Sequence, residues 1–150
     1  MKAMPMAIVA ALVVSSAAQN QTAVSDKDKL TGAWHLVSIT GPDGKLVIAG
    51  VPQGMLLYTR DGHMSVRLMY AESANAQSNE YVKNGYEASF GSYDVNEAIH
   101  VLTHHVQGSV TRGLLAGKDL PRIYRFSATG RLIIRSARAD EHWSVTWEHY

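Results

Sequence analysis

Residues 89–107, SFGSYDVNEAIHVLTHHVQ, constrain the fold more tightly than any other stretch of the chain. Gly91, Tyr93 and Val95 fall on one face of an extended segment, and Phe90, Ser92 and Asp94 on the other. The polar residues 94–97 supply a turn, because Asp and Asn side chains hydrogen-bond their own backbone and tolerate tight bends. Residues 99–107 then return as a second strand. His104 and His105 are neighbours on that strand, so they point to opposite faces. His104 shares its face with Leu102 and Val106, and His105 shares its face with Thr103 and Gln107. Burying each aliphatic side chain is worth roughly 1.5–3 kcal/mol, which turns His104 inward and His105 outward.

The same alternation recurs along the chain. Trp34, Leu36 and Ser38 alternate with His35, Val37 and Ile39. Gly41-Pro42-Asp43-Gly44 is a turn, and residues 45–49 read as a second short strand. Residues 55–59, with Leu56 and Tyr58 on one face, lead through Asp61-Gly62 into a strand with Met64, Val66 and Leu68 on one side. Residues 71–87 change character and read as a loop with one short helix near residues 79–85, of a length associated with lids and binding loops. A second irregular stretch, residues 108–120, precedes a strand with Arg122, Tyr124 and Phe126 on one face. After a turn at Ala128-Thr129-Gly130 come residues 132–136, and then a last strand with Trp143, Val145 and Trp147 on one face. Eight or nine short strands, few helical signals and no internal repeat indicate an all-β sandwich or barrel. An antiparallel closed barrel is favoured because closure removes the edges that a long meander exposes.

Residues 1–18 stand apart from this pattern. Lys2, the apolar run 6–14 and Ser16-Ala17-Ala18 have the layout of a signal peptide cleaved after Ala18, which places the mature protein in the periplasm or outside the cell. The run is well short of the ~20 residues that a membrane-spanning helix needs. Residues 19–29 read as a flexible lead-in and residues 30–150 as the domain. Without Lys2 the basic and acidic side chains balance at 13 each, so neither nucleic acid nor an anionic membrane is the expected partner, and no stable membrane insertion is expected after cleavage. The absence of cysteine excludes disulfides, thiolate metal sites and a thiol nucleophile.

Three blocks carry a resemblance to the bacterial lipocalin-like domain family of small calycin-type barrels: Gly32-Ala33-Trp34-His35-Leu36-Val37-Ser38, the run GMLLYTRDGHMS at residues 54–65, and Phe90-Gly91-Ser92-Tyr93 with Thr103-His104-His105-Val106-Gln107-Gly108-Ser109. The resemblance spans about residue 30 to the C-terminus and implies a lipocalin-like barrel with a lid loop or short helix. Val110-Thr111-Arg112-Gly113-Leu114-Leu115 replaces the aromatic segment that members of this family tend to carry after the Gly-Ser pair.

Chemical motifs are sparse. There is no His-Glu-x-x-His pair, and His100 and His104 sit about 13 Å apart on a regular strand, so no metal site and no cofactor are expected. There is no Gly-x-Ser-x-Gly elbow. The informative set is polar or polarisable residues on apolar faces: Tyr58, Met64, Tyr93, His104, Arg122 and Tyr124. Apolar walls with a few fixed polar tips are the composition of a small-molecule pocket. The expected function is binding of a small hydrophobic molecule inside the barrel. The alternative is a small barrel enzyme of the isomerase or cyclase type, with His104 as acid/base and Tyr or Arg support for a developing oxyanion. A packed core in which these groups satisfy one another is the third possibility.

Overall fold

The computed structural model describes residues 23–46, 53–70 and 78–150. Eight antiparallel strands, each hydrogen-bonded to the next and the last to the first, form a closed barrel: β1 (Gly32–Thr40), β2 (Gln53–Tyr58), β3 (His63–Met69), β4 (Tyr86–Asn96), β5 (Val101–Ser109), β6 (Asp119–Phe126), β7 (Leu132–Ser136) and β8 (Ser144–His149). The alternation predicts the inward faces well. Leu56 and Tyr58, Met64, Val66 and Leu68, Leu102 and His104, and Arg122 and Tyr124 all point inside and are buried. At eight strands the bore is just wide enough to be filled by side chains or to hold one small ligand.

β1 departs from strict alternation. Val37 is an extra residue between Leu36, which faces Trp147, and Ser38, which faces Thr146. The bulge shifts the side-chain parity by one, so Ile39 turns inward where Ser38 was expected. A second bulge lies in β5 at Gln107, between the pairs Gly91–Val106 and Phe90–Gly108. Gly91 is required there, since a Cβ at that position would collide with the carbonyl oxygen of His105.

The chain enters through a five-residue helix, α1 (Asp26–Leu30), inside the segment expected as a flexible lead-in. Ser25 caps it, its Oγ accepting from the Asp28 backbone N–H at 3.0 Å. The helix closes one end of the barrel. Leu30 is fully buried, and its carbonyl accepts from the Trp34 indole N–H at 2.9 Å. Glu97 in the β4–β5 turn accepts from the Lys27 backbone N–H at 3.1 Å, and the Tyr124 hydroxyl donates to Asp26 at 3.0 Å. Trp34, Tyr58, Leu102, Tyr124, Leu132 and Trp147 fill the bore at this end as a solid floor.

The up-and-down order puts the β1–β2, β3–β4, β5–β6 and β7–β8 connections at the opposite end, the mouth. The short helix expected near residues 79–85 is not formed. Asn84 and Gly85 take φ of 53° and 78° in a tight turn, with Lys83 paired to Tyr86, and a one-turn 3-10 helix occurs instead at Arg112–Leu114. Asn-Gly strongly favours this primed turn over continued helix. Residues 45–49, expected as a strand, lie mostly outside the described residues; Leu46 makes one bridge to Thr40. The expected signal peptide, residues 1–18, also lies outside them.

Candidate functional site: polar groups inside the barrel

His104 projects from the middle of β5 into the bore, 6% exposed, with its Nε2 2.7 Å from the Tyr58 hydroxyl across the barrel. Burial first, and then the Arg122 charge, push the imidazole down to about 3, so it is neutral near pH 7. Burial likewise pushes the Tyr58 phenol up. The two groups therefore share one hydrogen bond between neutral partners. Tyr93 packs on Tyr58 at 4.6 Å between ring centroids and donates to the Thr59 carbonyl at 2.9 Å.

Arg122 is the central charge. β6 places it inward between Leu120 and Tyr124, and it is 5% exposed. The Tyr81 and Trp143 rings lie 5.3 and 4.9 Å from its guanidinium carbon. Its Nη1 donates to Ser136 Oγ at a long 3.4 Å and stands 3.9 Å from Glu141, beyond hydrogen-bond length. Glu141 is already engaged. It accepts from Tyr81 and the Trp143 indole at 3.1 and 3.3 Å, and Arg138 pairs with it. Burial alone would raise its carboxyl, but the hydrogen bonds from Ser136 and Tyr81 and the nearby arginines hold it below the ordinary range.

Glu87 completes the constellation. β4 begins at Tyr86, so Glu87 shares the inward face with Ser89, Gly91 and Tyr93. Burial raises its carboxyl to about 7, against the opposing pull of Arg122 and of the Tyr70 hydroxyl, which donates at 3.3 Å. Glu87 and Tyr70 are absent from the residues that the sequence singles out, because residues 71–87 read as one loop. Extending the alternation of Ser89, Gly91 and Tyr93 back by two residues finds Glu87, and extending Met64, Val66 and Leu68 forward by two finds Tyr70.

The six residues picked from the sequence thus divide. Tyr58 reaches from the floor to His104 in the middle of the bore, while Arg122 and Glu87 lie nearer the mouth. Met64, Tyr93 and Tyr124 belong to the floor, where the Tyr124 hydroxyl serves Asp26 and the closing helix. Of these two interior groups, burial moves Glu87 toward neutral pH and His104 away from it. Leu36, Ile39, Val66, Leu68, Ile134 and Val145 form apolar walls around these groups.

His105 faces outward, opposite its neighbour. Its Nδ1 lies 2.7 Å from Asp119 on β6 and its Nε2 2.6 Å from Asp94 on β4. The two carboxylates, Asp94 foremost, raise its affinity for a proton. A separate shallow hollow of about 310 Å³ lies on the rim between residues 78–84 and 110–114, outside the bore.

A closed eight-stranded meander capped at one end by a short helix, with polar groups in an otherwise apolar bore, defines a small calycin-type barrel. The chain belongs to the lipocalin-like domain family, which it matches over residues 31–149. Its fold is similar to that of a lipocalin-like protein from Bacteroides uniformis ATCC 8492, known from a crystal structure. The TM-score is 0.52 at 12% identity, covering 81% of this chain and 99% of that one. No curated protein matches the chain.

Proposed function

We propose that this domain binds a small, largely hydrophobic molecule in the mouth half of its barrel. One observation carries the reading. Arg122 and the His104–Tyr58 pair are buried among apolar walls with Glu87 half-buried beside them, yet Arg122 and Glu87 do not close into an ion pair with each other. A core evolved only for packing has no use for two ionisable groups left partly satisfied in low dielectric. A pocket uses such groups to orient its guest. The solid floor against α1 confines the guest to the other half of the bore.

Export is part of this proposal, and it rests on the signal-like residues 1–18. A secreted or periplasmic barrel meets small molecules outside the cytoplasm, and the balanced charge of the mature chain suits a neutral or weakly charged guest better than a polyanion.

Native mass spectrometry of the protein purified from its own host tests the binding reading. A single additional mass, retained in gentle ionisation and lost on denaturation, is expected. A homogeneous apo mass, together with no uptake of N-phenyl-1-naphthylamine in solution, would overturn it. N-terminal sequencing of the exported protein should begin at Gln19; a mature chain that still carries Met1 would refute export by signal cleavage.

A further inference from the structure

We infer that the outer face of β2, β3 and the first half of β4 docks a second copy of this chain in a two-fold dimer. The inference goes beyond ligand binding and does not depend on it.

Closure of the barrel leaves no unpaired strand for a partner to extend, so association has to use side chains on an outer face. Leu57, Ser65 and Phe90 lie side by side across the three strands, as do Met55, Arg67 and Ala88, and Gln53, Met69 and Tyr86. Their strand neighbours Leu56, Tyr58, Met64, Val66, Leu68 and Ser89 are buried, so these nine residues face outward. Met55, Leu57, Met69, Tyr86 and Phe90 are all exposed, the two aromatics by more than half. Arg67 is the one charged side chain among the nine. The opposite wall differs: Arg125, Arg135 and Glu148 face outward from β6, β7 and β8. Aromatic, Met and Arg side chains without Lys, Asp or Glu are the composition that sets protein–protein interfaces apart from the remaining surface.

Phe90 is also held ready for contact. Its ring lies against Gly108 on β5, where an added Cβ would fall 2.5 Å from two ring carbons. The ring is braced by its own sheet while more than half of the residue stays exposed, which limits the ordering cost of binding.

The size of the patch suits a copy of itself. The five apolar residues leave roughly 450 Å² exposed, taking ~200–250 Å² for a whole side chain of this kind. Two copies joined there bury about 900 Å², and a polar rim carries the total past the ~1,000 Å² of a specific interface. One cation and no carboxylate give a dissimilar protein no charge pattern to read, whereas two such faces match each other by apolar burial. In the two-fold pairing each Arg67 lies over an aromatic ring of the other copy, a contact that needs no carboxylate.

Sedimentation velocity of the chain from about 1 to 300 µM tests this, since a patch near the lower limit of interface size predicts a reversible monomer–dimer equilibrium in that range. Phe90→Lys should weaken the dimer at least about tenfold. Tyr86→Lys leaves the contact with Gly108 alone and should do the same, so the result does not hang on how Phe90→Lys folds. Ile99→Lys, at an exposed apolar position in the β4–β5 turn, should leave the equilibrium unchanged. A chain that stays monomeric throughout, or a dimer that both patch variants leave intact, would overturn the inference. So would a monomer that co-sediments with phosphatidylglycerol–phosphatidylcholine vesicles and loses them in Tyr86→Lys, which would assign the face to a lipid surface instead.

Discussion

His104 and Glu87 set two opposite pH dependences inside one barrel, and replacing either should expose the other. The folded-state affinity of His104 for a proton is depressed, from 6.5 to about 3. The stability it contributes is therefore present above pH 6.5 and is lost as pH falls toward 3, because the unfolded chain takes up a proton that the folded one refuses. Glu87 is raised, from 4.5 to about 7. Its contribution is full below pH 4.5 and is lost as pH rises through 7. Between pH 4.5 and 6.5 the two slopes oppose each other, each worth about 1.4 kcal/mol per pH unit at most. The wild-type barrel should accordingly be nearly indifferent to pH there, as far as these groups are concerned. His104→Gln keeps a hydrogen-bonding partner for Tyr58 and removes the titration. Relative to wild type it should gain about 2 kcal/mol as pH drops from 6.5 to 5.0. Glu87→Gln should lose a similar amount over the same interval. Urea titrations followed by fluorescence of Trp34, Trp143 and Trp147 measure both differences. A wild-type-to-variant difference that stays constant with pH, for either residue, would refute the protonation states assigned here.

Three further outcomes follow from contacts outside that pair. His105→Asn should cost about 1 kcal/mol near pH 6, a modest figure because the pairs with Asp94 and Asp119 are solvent-screened. Its raised proton affinity means that the contribution is full below 6.5 and fades as pH rises, so thermal melts of wild type and variant should converge at alkaline pH and in high salt; a gap that widens with pH would be inconsistent. Tyr124→Phe removes the hydroxyl that holds Asp26 and should cost about 1 kcal/mol, with faster amide exchange across α1 and unchanged exchange in β3 and β4. Gly91→Ala drives a Cβ into the His105 carbonyl and should destabilise by about 1–3 kcal/mol in urea titrations, where no change would show that the β5 bulge yields freely.

The barrel was legible in the sequence because period-2 burial is a local signal. It fixed the inward faces of β2, β3, β5 and β6 and the opposed aims of His104 and His105. It failed where a non-local event intervenes. Nothing in the order of Leu36, Val37, Ser38 and Ile39 announces that Val37 will bulge, because the bulge is set by the register against β8. Asn84-Gly85 was a turn signal in plain view, but its neighbours Tyr81, Val82 and Tyr86 carry spacing that also suits a helix turn. Arg122 stands out in the sequence because an arginine sharing a face with Tyr124 and Phe126 is anomalous. Glu87 escapes the pattern because the polar run 71–87 masks the first two residues of β4. The closing helix escaped too: five residues carry no amphipathic period, and α1 is held by Trp34, Glu97 and Tyr124, which come from distant parts of the chain.

The position of Arg122 raises a question of energy that separates a structural from a functional role. Removing a cation from water costs several kcal/mol, and a buried ion pair returns this only with close, well-satisfied geometry. Arg122 lacks that geometry, at 3.4 Å from Ser136 and 3.9 Å from Glu141. Its aromatic neighbours offset part of the penalty, about 0.5–2 kcal/mol for each desolvated cation–π contact. Arg122→Met keeps the length and much of the packing against Tyr81 and Trp143 while deleting the charge. Glu141 would not be orphaned, because Arg138, Tyr81 and Trp143 remain on it. Glu87 would hold its proton more firmly, and His104 would lose a neighbour that lowers its proton affinity. The variant should therefore be as stable as wild type at pH 7 within about 1 kcal/mol, or more stable. A loss above about 3 kcal/mol in the same urea titration would make Arg122 a keystone of the fold, as expected when one half of a true buried pair is removed. Equal or greater stability would leave its charge without a structural purpose and would favour the binding role proposed for the bore.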